Sequence, residues 1–234
     1  MAAVFQRLLL MTEHTEFDAG AERVALELAN RFQLPLTAVM PLVSNPEYEA
    51  LAPEVAAGAE REAAIKLTQL REAARAIGVD LDAGVRRGAE PYLEIIDEAR
   101  ERASDLIVIR RRGKRGFLAN LLLGEMVSKV VAHAPCSVLI VPRIARMWNQ
   151  RILVAVEPTG HGKQLVAVAG ALAIECALPL TIVSVTGNDP VQHQQADTFI
   201  ASAMDSARQA GVSTEGHTLV GKPLTMILDA AARS

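Results

Sequence analysis

The sequence has few of the residues that build metal, redox or disulfide-dependent sites. It contains two cysteines, Cys136 and Cys176, which cannot form a disulfide framework. Both lie in apolar surroundings, so we expect them to be buried, reduced side chains of a cytoplasmic protein. The five histidines show no metal-ligand spacing, and no Gly-x-Ser-x-Gly nucleophile elbow occurs. The sequence therefore predicts no catalytic residue and no metal site.

Aromatic residues are also few, and the net charge is small. Phe, Trp and Tyr make up 3% of the chain, the formal net charge is −3 and the pI is about 6.0. Stacking platforms for single-stranded nucleic acid need aromatic side chains, so we do not expect a nucleic-acid partner. One local basic cluster, residues 110–115, leaves a polyanion-binding module as an alternative function.

Long uncharged runs are nearly absent, with one exception. The segment from Leu165 to Val185 has Glu175 as its one charged residue. The equivalent segment of an internal repeat, residues 21–41, carries four charged side chains and is typical of an amphipathic helix followed by a strand. We therefore expect no membrane insertion, and the N-terminus lacks the pattern of a signal peptide.

The repeat itself is the dominant feature of the chain. Residues 7–39 align with residues 151–183 at a constant offset of 144, and 13 of the 33 positions are identical. The run Leu34-Pro35-Leu36-Thr37 returns as Leu178-Pro179-Leu180-Thr181. Self-similarity over this length predicts two copies of one structural unit, residues 1–146 and residues 147–234.

Apolar runs and helical periodicity alternate along both copies. The first copy has predicted strands at 8–12, 36–40, 79–85, 106–109 and 137–141. Its predicted helices are a first one that follows Asp18 and includes the periodic residues of 24–32, and three more at 55–77, 91–102 and 118–132. Asp18 is predicted to cap the first helix, and 41–53 is predicted to be a loop. The second copy has predicted strands at 152–156, 180–185 and 214–219, and helices from 163, at 195–210 and at 223–232. This alternation predicts an α/β fold, with a doubly wound, mostly parallel five-stranded sheet followed by a partial second copy.

The second copy has no counterpart of the fourth and fifth strands or of the loop between them. A three-stranded half-sheet has an exposed edge. The edge therefore predicts either a truncated chain or completion by packing on the first copy or on a partner, and we expect a homodimer or another protein partner.

The loop after the fourth strand is the strongest candidate for chemistry. It reads Arg110-Arg111-Arg112-Gly113-Lys114-Arg115-Gly116, and Gly124-Glu125 opens a helix soon after it. Glycines after a strand let backbone amides face an anion, and a helix start adds positive potential. A solvated basic turn is the alternative interpretation.

At these residues the chain resembles the universal stress protein family, in a tandem form with an incomplete second copy. The resemblance rests on the opening strand with an acid at its end (Leu8 to Glu13), the strand-loop-helix from Leu106 to Gly124, and the closing segment from Ala132 to Val141. It covers nearly the whole chain and implies a role in stress adaptation.

The resemblance also implies a site for ATP, with Mg, at the strand ends and the glycine loop. The residues of this chain that match the site are Thr12, Glu13, Ile109, Arg110, Gly113, Gly116, Gly124 and Glu125. Glu13 matches an acid that lies by adenine and ribose in the family, and Pro41 stands where a valine is common.

Two positions depart from the family's glycine pattern, and ten residues instead of nine separate Gly113 from Gly124. Arg110 matches the first glycine, where a side chain prevents close approach of backbone to phosphate, although a guanidinium can itself bind an anion. Glu125 matches a serine or threonine, and a carboxylate at a helix start repels phosphate. These departures predict a regulatory protein that acts by dimerisation or partner binding and has weakened or lost nucleotide binding. An ATP-binding, slowly hydrolysing member of the family is the alternative.

Overall fold

The structure is a computed structural model that describes residues 4–111 and 124–233. The chain forms two compact units. One extends from Phe5 to Met147, and the other contains Val4 and the residues from Trp148 onward. No helix in the described ranges is long and apolar enough to cross a bilayer.

The first unit contains a five-stranded parallel sheet in the order β3-β2-β1-β4-β5. Its strands are β1 (Leu8–Met11), β2 (Leu36–Val43), β3 (Leu81–Gly88), β4 (Leu106–Arg110) and β5 (Ser137–Val141). The strand order reverses between β1 and β4, which pair in parallel with Leu8 opposite Leu106. The doubly wound α/β fold predicted from the sequence is confirmed.

Five helices accompany this sheet in the described residues: α1 (Ala19–Phe32), α2 (Pro46–Leu51), α3 (Pro53–Ala76), α4 (Pro91–Glu101) and α5 (Glu125–His133). Strand residues on alternate faces contact different helices. Leu9, Met11 and Ile107 pack with Ile95 and Val130 of α4 and α5 in one buried cluster. Arg110 lies on the opposite face of the sheet, where it forms part of the site described below.

The second unit repeats the design with a three-stranded parallel sheet in the order β6-β7-β8. Its elements are β6 (Ile152–Ala155), α6 (Gly160–Cys176), β7 (Leu180–Thr186), α7 (Pro190–Gln209), β8 (Thr214–Val220) and α8 (Pro223–Arg233). A separate apolar cluster, which includes Val166, Ala173, Ile182 and Ile200, forms its core. The sequence prediction of a partial second copy agrees with this sheet.

Three local expectations were wrong. Helix α2 lies inside the predicted loop, because Pro46 occupies a first helical position rather than a turn. Helix α7 begins at Pro190, five residues earlier than expected, where the Asp189 side chain accepts a hydrogen bond from the Val191 amide at 2.9 Å. Asp18 stands at the N-cap position of α1 but makes no side-chain cap hydrogen bond.

Two glycines of α6 allow a matched stability test. A Cβ at Gly162 meets the carbonyl oxygen of Glu157 at 2.1 Å, whereas a Cβ at Gly170 meets nothing within 4 Å. We expect Gly162→Ala to lower the free energy of unfolding by about 1–3 kcal/mol, because backbone must move. Gly170→Ala is expected to raise it by about 0.5–1 kcal/mol, because alanine favours a helix interior. Urea unfolding followed by the fluorescence of Trp148 measures both.

The reactivity of the Cys136 thiol tests the expectation that the cysteines are buried and reduced. Burial, with a smaller contribution from Asp105, raises its pKa to about 11. At pH 8 about one such thiol in a thousand is ionised, against about a quarter for an ordinary thiol. We expect iodoacetamide to modify Cys136 roughly a hundredfold more slowly in the folded chain than in urea. Folding favours the neutral thiol of Cys136. The contribution of Cys136 to the free energy of unfolding is therefore fully present below the pKa of the unfolded chain, and it is lost as the pH rises through about 11. Equal rates in the two states, measured by mass spectrometry, would contradict the prediction.

Candidate functional site

The reversal of strand order brings the carboxyl ends of β1 and β4 side by side. In open α/β sheets, this is the place where ligands bind. Thr12 and Glu13 follow β1, while Ile109 and Arg110 are the last two residues of β4. Ile109 is fully buried in the apolar cluster beneath α4 and α5, so its side chain has a packing role.

Arg110 is buried and bound on both terminal nitrogens. It is 3% exposed. Its Nη2 donates to Glu13 Oε2 at 2.8 Å, and its Nη1 donates to Asp18 Oδ2 at 2.8 Å and to Thr15 Oγ1 at 3.1 Å. We call these four residues the Arg110 cluster. The guanidinium is therefore held within the protein rather than presented to an external anion.

Asp18 explains why the guanidinium lies here. It is 0% exposed, and its Oδ2 also accepts from the Thr15 amide at 3.0 Å and the Thr15 hydroxyl at 2.6 Å. A buried carboxylate without a partner is strongly unfavourable, and Arg110 is its paired cation. Asp18 Oδ1 and Arg110 Nε are buried with no hydrogen-bond partner among the described residues, so the pair is incompletely satisfied.

Thr12 takes part in a second, adjoining cluster. Its hydroxyl is buried, donates to Glu22 Oε1 at 2.5 Å and accepts from the His14 amide at 2.8 Å. The His14 ring lies 3.0 Å from the same Glu22 oxygen, and His14 has the left-handed backbone angle φ of 49°. The turn after β1 is thus ordered by its own side chains.

Glu125 is placed differently from these buried groups. It begins α5 after Gly124, which has an extended backbone at the N-cap position. The Glu125 side chain is 84% exposed, and its Oε1 lies 3.2 Å from Lys129 Nζ, one helical turn later. A hydrogen bond to Glu125 raises the pKa of Lys129. The carboxylate thus adds a negative charge at this helix start.

A cavity of about 240 Å³ opens beside Glu13. It is lined by the end of β2, including Met40 and Pro41, and by Ala63 and Lys66 of α3. Cavities that enclose small-molecule ligands commonly measure about 300–1,000 Å³, so this one is small for a nucleotide.

Two of the predicted site residues, Gly113 and Gly116, lie outside the described residues, and their part in a phosphate loop stays a prediction. Of the other six, the strand ends bring Thr12, Glu13, Ile109 and Arg110 together. Gly124 and Glu125 stand at the start of α5.

The second copy lacks the buried acid, because Asp18 corresponds to Gly162. Thr15 corresponds to Thr159, whose hydroxyl accepts a hydrogen bond from the Gly162 amide at 3.1 Å and caps α6. The segment Thr159 to Lys163 is therefore the N-cap and first turn of α6.

Sequence reasoning missed Asp18 and Thr15 as partners of Arg110. Arg110 is separated from Thr15 by 95 positions and from Asp18 by 92, so no local pattern in the sequence linked these residues.

A sequence model of the universal stress protein family matches residues 5–142. The chain belongs to the universal stress protein family. Universal stress protein MJ0531 of Methanocaldococcus jannaschii is 27% identical over 147 residues, which cover 60% of this chain and 84% of that protein.

Solved structures of the family share the fold. A universal stress protein from Archaeoglobus fulgidus DSM 4304 matches 97% of this chain and 83% of its own, with a TM-score of 0.77 and 16% identity. The universal stress protein UspA from Lactobacillus plantarum matches 60% of this chain and 99% of its own, with a TM-score of 0.52 and 22% identity.

Within this universal stress fold, the described residues fit a nucleotide poorly. Arg110 occupies the first glycine position of the family pattern and binds Glu13, the acid expected beside the ribose. Movement of Arg110 away from this place would leave the buried Asp18 carboxylate without its paired cation.

Proposed function

We propose that this chain is a regulatory protein of stress adaptation that works by binding protein and has lost nucleotide binding. The observation that supports the proposal is the Arg110 cluster. Its guanidinium stands where the family has a glycine, with both terminal nitrogens bound to acids of this chain. A binding equilibrium that first has to break a buried ion pair loses several kcal/mol of affinity, about a thousandfold.

If the chain binds no nucleotide, association with another protein is the mode of action that we propose. Dimerisation is common in the family. The chain has only two cysteines, Cys136 and Cys176, and this low number favours a reducing compartment such as the cytoplasm.

The cavity beside Glu13 favours the alternative of an ATP-binding member. It is lined by Glu13, which matches the acid that lies by adenine and ribose in the family, and by Lys66, a cation that is 2.7 Å from Glu62. Its volume of about 240 Å³ argues for a weak site at most.

Calorimetric titration with Mg-ATP tests the proposal. We expect no heat of binding at about 1 mM nucleotide, and no nucleotide released when the purified protein is denatured. Glu125→Ser, which restores the family's hydroxyl position, is expected to change nothing while Arg110 stays in place. Recovered nucleotide, or a micromolar dissociation constant for either protein, would contradict the proposal and favour the ATP-binding alternative.

A further inference from the structure

The first copy has a longer connection between its second and third strands than the second copy has. In the first copy, Leu36 of β2 pairs with Leu81 of β3, 45 positions later. The counterpart of Leu36 in the repeat, Leu180, pairs with Thr214, 34 positions later. The first copy therefore has 11 additional residues here. They form α2 and its connections, because only three residues separate β7 from α7. We call residues 44–56, which contain them, the α2 segment.

The α2 segment forms a wall of a pocket of about 490 Å³. Leu51, Ala52, Val55 and Ala56 of the segment line this pocket together with Val43, the last residue of β2. Cavities that enclose small-molecule ligands commonly measure about 300–1,000 Å³, so this volume suits such a ligand. The cavity beside Glu13 falls below that range.

Three large apolar side chains of this pocket are exposed to solvent. Val43 is 71% exposed, Leu51 82% and Val55 72%. Helix α3 begins at Pro53, but its first buried residue is Ala63, so the core does not explain the turns that carry Val55. Single exposed apolar residues are ordinary on a protein surface, whereas several that line one pocket indicate a binding surface.

The polar part of the pocket is a group of three charged side chains. Arg87 Nη2 lies 2.7 Å from Glu49 Oε1, and Arg87 Nη1 donates to Glu60 Oε1. Hydrogen bonds with Ser44 and Arg87 lower the pKa of Glu49, and the bond with Glu49 raises the pKa of Arg87. Two carboxylates around one guanidinium leave a net charge of −1, which attracts a cation and repels an anion.

We propose that this pocket binds a small organic cation with an apolar body, of the alkylammonium class. The alkyl chain covers Leu51 and Val55, and the ammonium group meets the carboxylates of Glu49 and Glu60, whose side chains are 29% and 48% exposed. An anionic head has to take Arg87 from its two carboxylates and is therefore disfavoured.

The inference goes beyond the proposed function and does not depend on it. Glu13 and Arg110 are both described in the structure, and neither lines this pocket. Nucleotide binding and amine binding are therefore separate properties with separate tests.

Calorimetric titration of the full chain at neutral pH with two probes of equal chain length tests the proposal. The probes are n-octylamine, which is protonated at this pH, and octanoate. We expect octylammonium to bind with a dissociation constant of about 100 µM, and octanoate to bind at least roughly tenfold more weakly.

Two substitutions in α3 test the location of the site. Ala56→Phe fills the pocket and is expected to weaken octylammonium binding by about tenfold or more. Glu60→Lys changes the net charge of the group from −1 to +1, so octanoate is expected to bind more tightly than octylammonium. Glu72→Lys makes the same change at an exposed position about 18 Å further along α3. It is the matched control and should keep the preference of the unaltered chain.

Circular dichroism establishes that each variant is folded before its affinity is compared. An unaltered chain that binds neither probe at about 5 mM overturns the proposal, and so does octanoate binding as tight as that of octylammonium. Octylammonium affinity that is unchanged in either Ala56→Phe or Glu60→Lys also overturns it, because the cation then lies elsewhere. None of these results bears on the proposed loss of nucleotide binding, which the Mg-ATP titration measures.

Discussion

Replacing Arg110 with methionine is expected to lower the free energy of unfolding by about 3–5 kcal/mol, a large part of the stability of a typical domain. Methionine keeps much of the volume of the side chain but removes its charge. Asp18, which is 0% exposed, then keeps a buried carboxylate bound by Thr15 alone. Urea unfolding followed by far-ultraviolet circular dichroism measures the loss.

Arg143→Met is the matched control. Its guanidinium lies 2.7 Å from Glu16 Oε2, but the two side chains are 51% and 62% exposed. A pair in solvent is worth about 0–1 kcal/mol, so this variant should behave like the unaltered chain. Equal effects of the two substitutions would show that burial of the Arg110 pair contributes nothing particular to stability.

A substitution of Asp18, the second member of the buried pair, tests whether the lost ion pair or lost packing destabilises the Arg110→Met variant. Asp18→Asn removes the buried charge and keeps an oxygen that can accept from Thr15. In the Arg110→Met background we expect it to recover about 2–3 kcal/mol, because no unpaired charge is left buried. A double variant no more stable than Arg110→Met alone would mean that the loss came from packing instead of the ion pair.

The sequence predicted most of the fold because its signals are local. Buried strands appear as short apolar runs such as Leu106 to Ile109, and the repeat fixes the second copy without any knowledge of packing. The order of the strands and the position of the reversal between β1 and β4 were not predicted from the sequence and come from the structure.

The chemistry of the candidate site was less accessible to sequence reasoning. Arg110 and Asp18 are 92 positions apart, and each has a plausible local role, in a basic loop and as a helix cap. The backbone brings them together through the pairing of β1 with β4, and burial then makes their charges interdependent. Helix α2 was missed for a different reason, since proline is common both in turns and at the first position of helices.

Restoring the family pattern is expected to create nucleotide binding. The triple variant Arg110→Gly, Asp18→Asn and Glu125→Ser removes the side chain at the first glycine position, the buried acid that needs it, and the carboxylate at the start of α5. Glu13 is then free of its ion pair, which joins Arg110 Nη2 to Glu13 Oε2 at 2.8 Å. We expect Mg-ATP affinity to rise by about a hundredfold or more, to a dissociation constant of about 10 µM, measured by calorimetry.

Comparison of the single, double and triple variants separates the effect of Arg110 from the effect of Glu125. Glu125→Ser alone leaves Arg110 bound to Glu13 and Asp18 and should give no binding, whereas Arg110→Gly with Asp18→Asn should give weak binding that Glu125→Ser then strengthens. A folded triple variant without affinity would show that the arginine is not what closes the site. The small cavity of about 240 Å³ between Glu13, Pro41 and Ala63 would then be the next candidate, because none of the three changed residues lines it.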